Sequence, residues 1–206
     1  MRAKSVKKAA PAKAAAKAKQ AKYVYFFGAN QSEGDVSMKA LLGGKGANLA
    51  DMAGLGLPVP PGFTITTEAC AKYYEIGEKA LHALIRAEVL DALKRLEKAT
   101  GKTFGKGPNP LLVSVRSGAA ASMPGMMDTV LNLGLNPDTV EAMITRTGNP
   151  RFVWDSYRRF IQMFGNVVLG VEHHLFELEL EAVKRAKGYT LDSELMAEDL
   201  QEVVGR

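Results

Sequence analysis

Two short stretches of this 206-residue chain carry fixed positive charge among glycines. The first is Gly43-Gly44-Lys45-Gly46, at the head of a run with helical apolar spacing. The second is Val113-Ser114-Val115-Arg116-Ser117-Gly118, which runs on to Ser122-Met123-Pro124-Gly125-Met126-Met127-Asp128-Thr129. Lysine and arginine attract anions, and glycines let backbone N–H groups come close to one, so the two stretches read as the halves of a cradle for a polyphosphate. They do not form a P-loop, because Lys45 is followed by Gly46 rather than Ser or Thr and the leading glycine of that pattern is missing. A nucleotide site of another kind is the expectation.

Each charged residue also has a plainer role open to it. Lys45 opens a helix, where the dipole is already positive, so a polyphosphate would relieve an unfavourable charge. A surface lysine in a glycine turn fits the same tetrapeptide. Arg116 ends an apolar run that reads as a buried strand, and it needs a partner there, either a phosphate or a structural ion pair. Arg151, Arg158 and Arg159 fall in one segment, but Asp155 stands three and four residues before the last two. That is the spacing of helix-surface ion pairs, so structural pairing is expected, with Trp154, Tyr157, Phe160 and Ile161 as core. His82, His173 and His174 share no metal-ligand spacing with a carboxylate and read as solvated residues. Cys70 has no histidine nearby and reads as a small core residue rather than a nucleophile.

The elements that must position these groups follow from periodicity and punctuation. Tyr23–Phe27, closed by Gly28, reads as a first strand, and Ala29–Ser37 as a polar loop. From Gly46 the apolar positions Leu49, Met52, Ala53 and Leu55 predict a helix, stopped by Gly54, Gly56 and the prolines 58, 60 and 61. Residues 63–66 predict a short strand with Thr67 as the N-cap of the next helix. Residues 79–99 place Leu81, Leu84, Ile85, Val89, Leu93 and Leu96 on one face of a surface helix about five turns long. Leu111–Val115 predicts a buried strand delivering Arg116, Gly118–Gly125 a mobile loop, and the alternating 130–135 another strand. After Asn136 the pattern turns helical, with starts at Pro137, at Pro150, near Glu172 and near Ser193. The last of these reaches Arg206 without capping residues, which reads as a segment of something longer.

Composition bounds the class. An apolar content of 47% is that of an ordinary globular protein. The net charge of +5 belongs to one arm, since residues 1–22 hold eight of the 27 basic residues and none of the 22 acidic ones, leaving −3 for residues 23–206. Nucleic-acid binding by the folded part is therefore not expected. The arm, Ala and Lys with Pro11, has almost nothing large to bury and reads as solvated and mostly disordered. It holds one Arg and one Ser, unlike a transit peptide, and no apolar signal region or membrane-length apolar run follows. The single cysteine excludes an internal disulfide and a Cys-based zinc cluster, and fits a reducing compartment such as the cytoplasm.

The motifs carry a resemblance. Leu41–Met52 and Gly56–Cys70 resemble the amino-terminal nucleotide-binding domain of the pyruvate, phosphate dikinase family, and the first block is shared loosely with phosphoenolpyruvate synthases and glucan water dikinases. Ser114–Gly118, Ser122–Leu135 and Tyr157–Met163 resemble the dikinases rather than the synthases. The likeness covers residues 23–206.

The resemblance implies an α/β (α+β) fold, a partial ATP-grasp domain with residues 23–136 as its first lobe and 137–206 as an incomplete helical subdomain. It implies that Lys45 and Arg116 contact the phosphates of ATP and that the loop around Gly125 and Met127 closes over the nucleotide. In that family ATP phosphorylates a histidine on a separate domain, giving AMP, and the histidine then phosphorylates pyruvate in a barrel domain. No catalytic histidine carries over to this chain, and the Mg²⁺ ligands are expected outside it. The partners implied are ATP, the phosphohistidine and pyruvate-binding domains, and a second copy in a homodimer of the full-length protein. This segment alone is expected to be inactive. A stand-alone nucleotide-binding or regulatory module related to phosphoenolpyruvate synthase is the alternative.

Overall fold

The structure, a computed structural model, describes residues 21–118 and 128–206. Strand β1 (Val24–Gly28) turns back through Ala29 and Asn30, both at positive φ, into the short antiparallel β2 (Gln31–Ser32). That left-handed pair is what a two-residue hairpin needs to match strand twist. On its other edge β1 pairs antiparallel with β3 (Gly62–Ile65), in register from Val24↔Ile65 to Phe27↔Gly62.

Alternation along β1 sends successive aromatics to opposite faces. Phe27 meets Leu42, Ala47, Ala50 and Ala53 of helix α1 (Lys39–Gly54), while Phe26 meets Leu96 of α3 (Glu78–Thr100) and Leu111. Helix α2 (Thr67–Ile76) adds Ala69 to a cluster with Tyr23, Leu81 and Ile85.

Several expectations shift here. Helix α1 begins at Lys39, ahead of the expected start at Gly46, and buries Leu42, Gly43, Gly46, Ala47, Ala50 and Ala53. Leu55, taken as an inward position, is 73% exposed. After Gly43 the fully buried positions of the helix are glycine and alanine, since this part lies close against β3, where a Cβ on Gly46 would already meet Thr64. Cys70 is exposed rather than core, because α2 turns Ala69 inward. The cap of α2 is Thr66, whose hydroxyl accepts from the Ala69 N–H.

The run 111–116 is not one buried strand. Pro110–Leu111 (β5) is buried and pairs parallel with β4 (Thr103–Phe104), whereas β6 (Val113–Arg116) forms a separate antiparallel ribbon with β7 (Thr129–Leu133). Val115, 48% exposed, lies on that ribbon's open side. The alternation of β7 is interrupted too. The register passes from Val115↔Val130 to Val113↔Leu133, an irregularity that coincides with Asn132 at φ 58°.

Four helices follow: α4 (Pro137–Thr147), α5 (Pro150–Val167), α6 (His173–Lys187) and α7 (Ala197–Gly205). Asn136 caps α4 in a reciprocal box with Thr139. Leu135 and Val140 pack with Val153 of α5, and Trp154 joins this cluster to the Leu180, Val183, Leu195 and Leu200 core of the last helices. The ribbon rests on α5, where the Leu131 N–H approaches the sulfur of Met163 at 3.2 Å. The class is α+β, helices with small sheets, as the sequence implies.

Candidate functional site

Lys45 owes its place to a break in α1. Gly43 takes φ 69° and ψ 169°, a conformation that L side chains rarely adopt, so the helix stops at Leu42 and restarts at Gly44. Lys45 therefore stands in a first turn, where backbone N–H groups lack intrahelical acceptors. The turn before the break is held from outside. The Thr67 hydroxyl lies 2.7 Å from the Ala40 carbonyl oxygen and 3.3 Å from that of Leu41. Behind Lys45, the bare Cα of Gly46 lets α1 settle against β3.

Arg116 ends β6 opposite Thr129. Its Nε donates to Ser114 Oγ at 3.5 Å, the guanidinium is exposed, and it forms no salt bridge among the described residues. The argument that burial forces a partner on Arg116 therefore lapses, and the residue is an open cation at a strand end. Ser117 continues the ladder by one step. Its N–H and its hydroxyl both donate to the Asp128 carbonyl, at 3.0 and 3.1 Å.

One contact joins the two stretches. Lys45 Nζ donates to the Ser117 carbonyl oxygen at 3.5 Å, across 72 positions of sequence. The folded chain thus brings the helix start that carries Lys45 to the peptide adjoining Arg116. Neither cation is neutralised by a carboxylate among the described residues. Two positive charges with no carboxylate partner form an edge that attracts anions, most strongly at low salt. Gly125 and Met127 lie outside the described residues.

The remaining charged groups serve the scaffold. Asp155 binds Arg158 at 2.8 Å and Arg159 at 2.9 Å, as their spacing predicts. Burial pushes the Asp155 carboxyl upward, but hydrogen bonds and charge from both arginines outweigh it and hold it below the usual carboxylate range. Arg151 departs to the carbonyls of Leu195 and Asp192. His82, His173 and His174 are exposed, and no group of three or more metal-ligating side chains occurs among the described residues. Two clefts of about 260 and 290 Å³ lie elsewhere, one between α5, α6 and α7 and one beside Phe26 and Arg95. Lys45 and Arg116 lie on an open edge and line neither hollow.

Sequence reading missed three contributors. Ser117, Asp128 and Thr67 act through backbone contacts with residues distant in the chain, and residue type alone carries no signal of that.

Over about nine tenths of its length the chain is similar to known proteins. A family described as "Pyruvate phosphate dikinase, AMP/ATP-binding domain" matches residues 39–87 and 72–204. A chloroplastic pyruvate, phosphate dikinase of Mesembryanthemum crystallinum is 59% identical over 183 residues, covering 89% of this chain and 19% of the relative. The pyruvate, phosphate dikinase of Rhizobium meliloti is 56% identical over 186 residues, 90% of this chain and 21% of the relative. That of Clostridium symbiosum is 55% identical over 183 residues, 89% of this chain and 20% of the relative. The chain spans about a fifth of the length of these curated relatives.

Proposed function

Because the chain belongs to the family of the pyruvate phosphate dikinase AMP/ATP-binding domain, we propose that Lys45 and Arg116 hold the phosphates of ATP at the edge between α1 and the β6–β7 ribbon. The observation that carries this reading is the 3.5 Å contact of Lys45 Nζ with the Ser117 carbonyl, which seats one cation next to the residue bearing the other. A triphosphate offers several anionic oxygens in a row, and two cations along one edge match that spread of charge. An adenine nucleoside monophosphate offers fewer, so discrimination would follow phosphate count.

Within this reading residues 23–136 act as a first nucleotide lobe and residues 137–206 as a helical subdomain, with Gly125 and Met127 over the nucleotide. The whole reaction, phosphoryl transfer from ATP through a histidine to pyruvate, belongs to the protein in which this segment is joined to phosphohistidine and pyruvate-binding domains, as a dimer in the cytoplasm. Mg²⁺ enters there with ligands from other segments, and no step through it is drawn from this chain. Positioning and charge are what these residues contribute.

The test is a titration of the 206-residue chain with ATP, AMP and inorganic tripolyphosphate, followed by calorimetry or by amide chemical shifts at millimolar ligand. Tripolyphosphate and ATP should perturb Lys45, Arg116 and Ser117 together, and AMP much less. Equal responses to all three, or perturbation confined to the cleft between α5 and α7, would refute the assignment.

A further inference from the structure

We propose that Ser117 is a positioning residue of this site: its hydroxyl fixes the direction of its own peptide carbonyl, and that carbonyl registers the Lys45 ammonium beside Arg116. The inference rests on the reading of Lys45 and Arg116 as phosphate contacts, and it adds the residue that sets their relative placement.

Ser117 lies one step beyond the last paired residues of the ribbon, Arg116 and Thr129. A residue past a strand end ordinarily keeps its backbone freedom. Ser117 does not, because its N–H and its Oγ both donate to the single carbonyl oxygen of Asp128. Two bonds from one residue to one acceptor fix both the backbone and the side-chain rotamer. The Ser117 carbonyl is then held where Lys45 Nζ reaches it at 3.5 Å.

The chemistry of the acceptor matters. A carboxylate in that place would cancel the lysine's charge and compete with any incoming phosphate. A neutral carbonyl orients the ammonium and leaves its charge intact, and an exposed bond of this length is readily exchanged for a phosphate oxygen. Lysine has a long flexible stem, so a single neutral tether reduces the freedom that binding would otherwise have to remove. Since Ser117 follows Arg116 directly, one peptide sets the registry of both cations.

Replacing Ser117 by alanine keeps the N–H and the carbonyl and removes only the hydroxyl, so the idea can be tested without deleting the contact itself. The 206-residue chain and its Ser117→Ala, Ser117→Thr and Ser117→Cys variants would be exposed briefly to acetic anhydride, and acetylation of each lysine followed by peptide mass spectrometry. Lys72, paired with Glu75 on α2, serves as the internal reference. Ser117→Ala should acetylate at Lys45 several-fold faster than the parent with Lys72 unchanged, Ser117→Thr should match the parent, and the weak thiol donor of Ser117→Cys should fall between. A Lys45 rate indifferent to the hydroxyl, or a threonine variant as fast as alanine, overturns the proposal. If the alanine variant unfolds, Lys72 accelerates as well, and the threonine and cysteine variants decide. Adding tripolyphosphate separates the two readings: no further slowing of Lys45 acetylation in the parent chain would refute the phosphate site, whereas further slowing together with hydroxyl-independent rates would refute the role of Ser117 alone.

Discussion

A Cβ placed on Gly46 would stand 2.8 Å from both Cγ2 and Oγ1 of Thr64, closer than real side chains approach. The helix bearing Lys45 is therefore seated on β3 by the absence of a side chain. Gly46→Ala should destabilise the chain by about 2 kcal/mol through overpacking. Gly44, two residues earlier, has nothing within 4 Å of its own imagined Cβ. Gly44→Ala should be neutral or gain about 0.5 kcal/mol from reduced backbone entropy. Urea midpoints of the two variants measure the contrast, and equal effects would show that α1 does not depend on this approach.

Lys45→Ala and Arg116→Ala should each abolish AMP formation in an enzyme that joins this segment to its phosphohistidine and barrel domains. Both residues stand outside the core clusters and outside the ion pairs of the described residues, so stability should change by less than about 0.5 kcal/mol. Turnover assays paired with thermal unfolding separate the two effects. Near-normal turnover in either variant counts against the phosphate roles.

Asp155 should make stability depend on acid. Its folded-state pKa is depressed, since the arginine bonds and charges outweigh its burial. Such a carboxylate contributes stability that is fully present above its unfolded value, about 3.9, and is lost as pH falls through the folded value. Asp155→Asn leaves the buried Arg158 guanidinium without its anion and should cost about 3 kcal/mol at neutral pH. The gap between the parent and the variant should close on acidification. Denaturation curves at several pH values check it, and a gap that stays constant into strong acid would contradict it.

Asn132 holds φ 58° inside β7, at the irregularity of the ribbon. Asn132→Gly should be tolerated, and Asn132→Val should cost about 1–2 kcal/mol because a β-branched residue resists that conformation. Hydrogen exchange across β6 and β7 would report it, with matching protection in both variants excluding strain at this point.

Much of the frame was legible because its causes are local. The strand of Val24–Gly28 follows from an aromatic and β-branched run, and α4 and α5 from Asn-Pro starts that cap and pre-set φ. The Asp155 pairs follow from helix spacing alone. Errors fell where a neighbour decides. Met52 and Leu55, at helical spacing, face outward because glycine and alanine take the positions closest to the sheet, while Leu42 stays in the core and Leu49 packs against it. Leu111–Val115 divides between two sheets because separate partners claim its halves, and Cys70 is exposed because its neighbour Ala69 took the inward place.

The sequence by itself determined which residues carry fixed positive charge among glycines and which family the motifs resemble, since charge, glycine content and order along the chain are properties of the string. Tertiary structure alone decided that the lysine and the arginine are neighbours. Seventy-odd residues separate them, and only the break at Gly43, the seat of Gly46 on Thr64 and the Ser117 bonds to Asp128 fix where each ends. Proximity across such a distance is set by packing that no local pattern encodes.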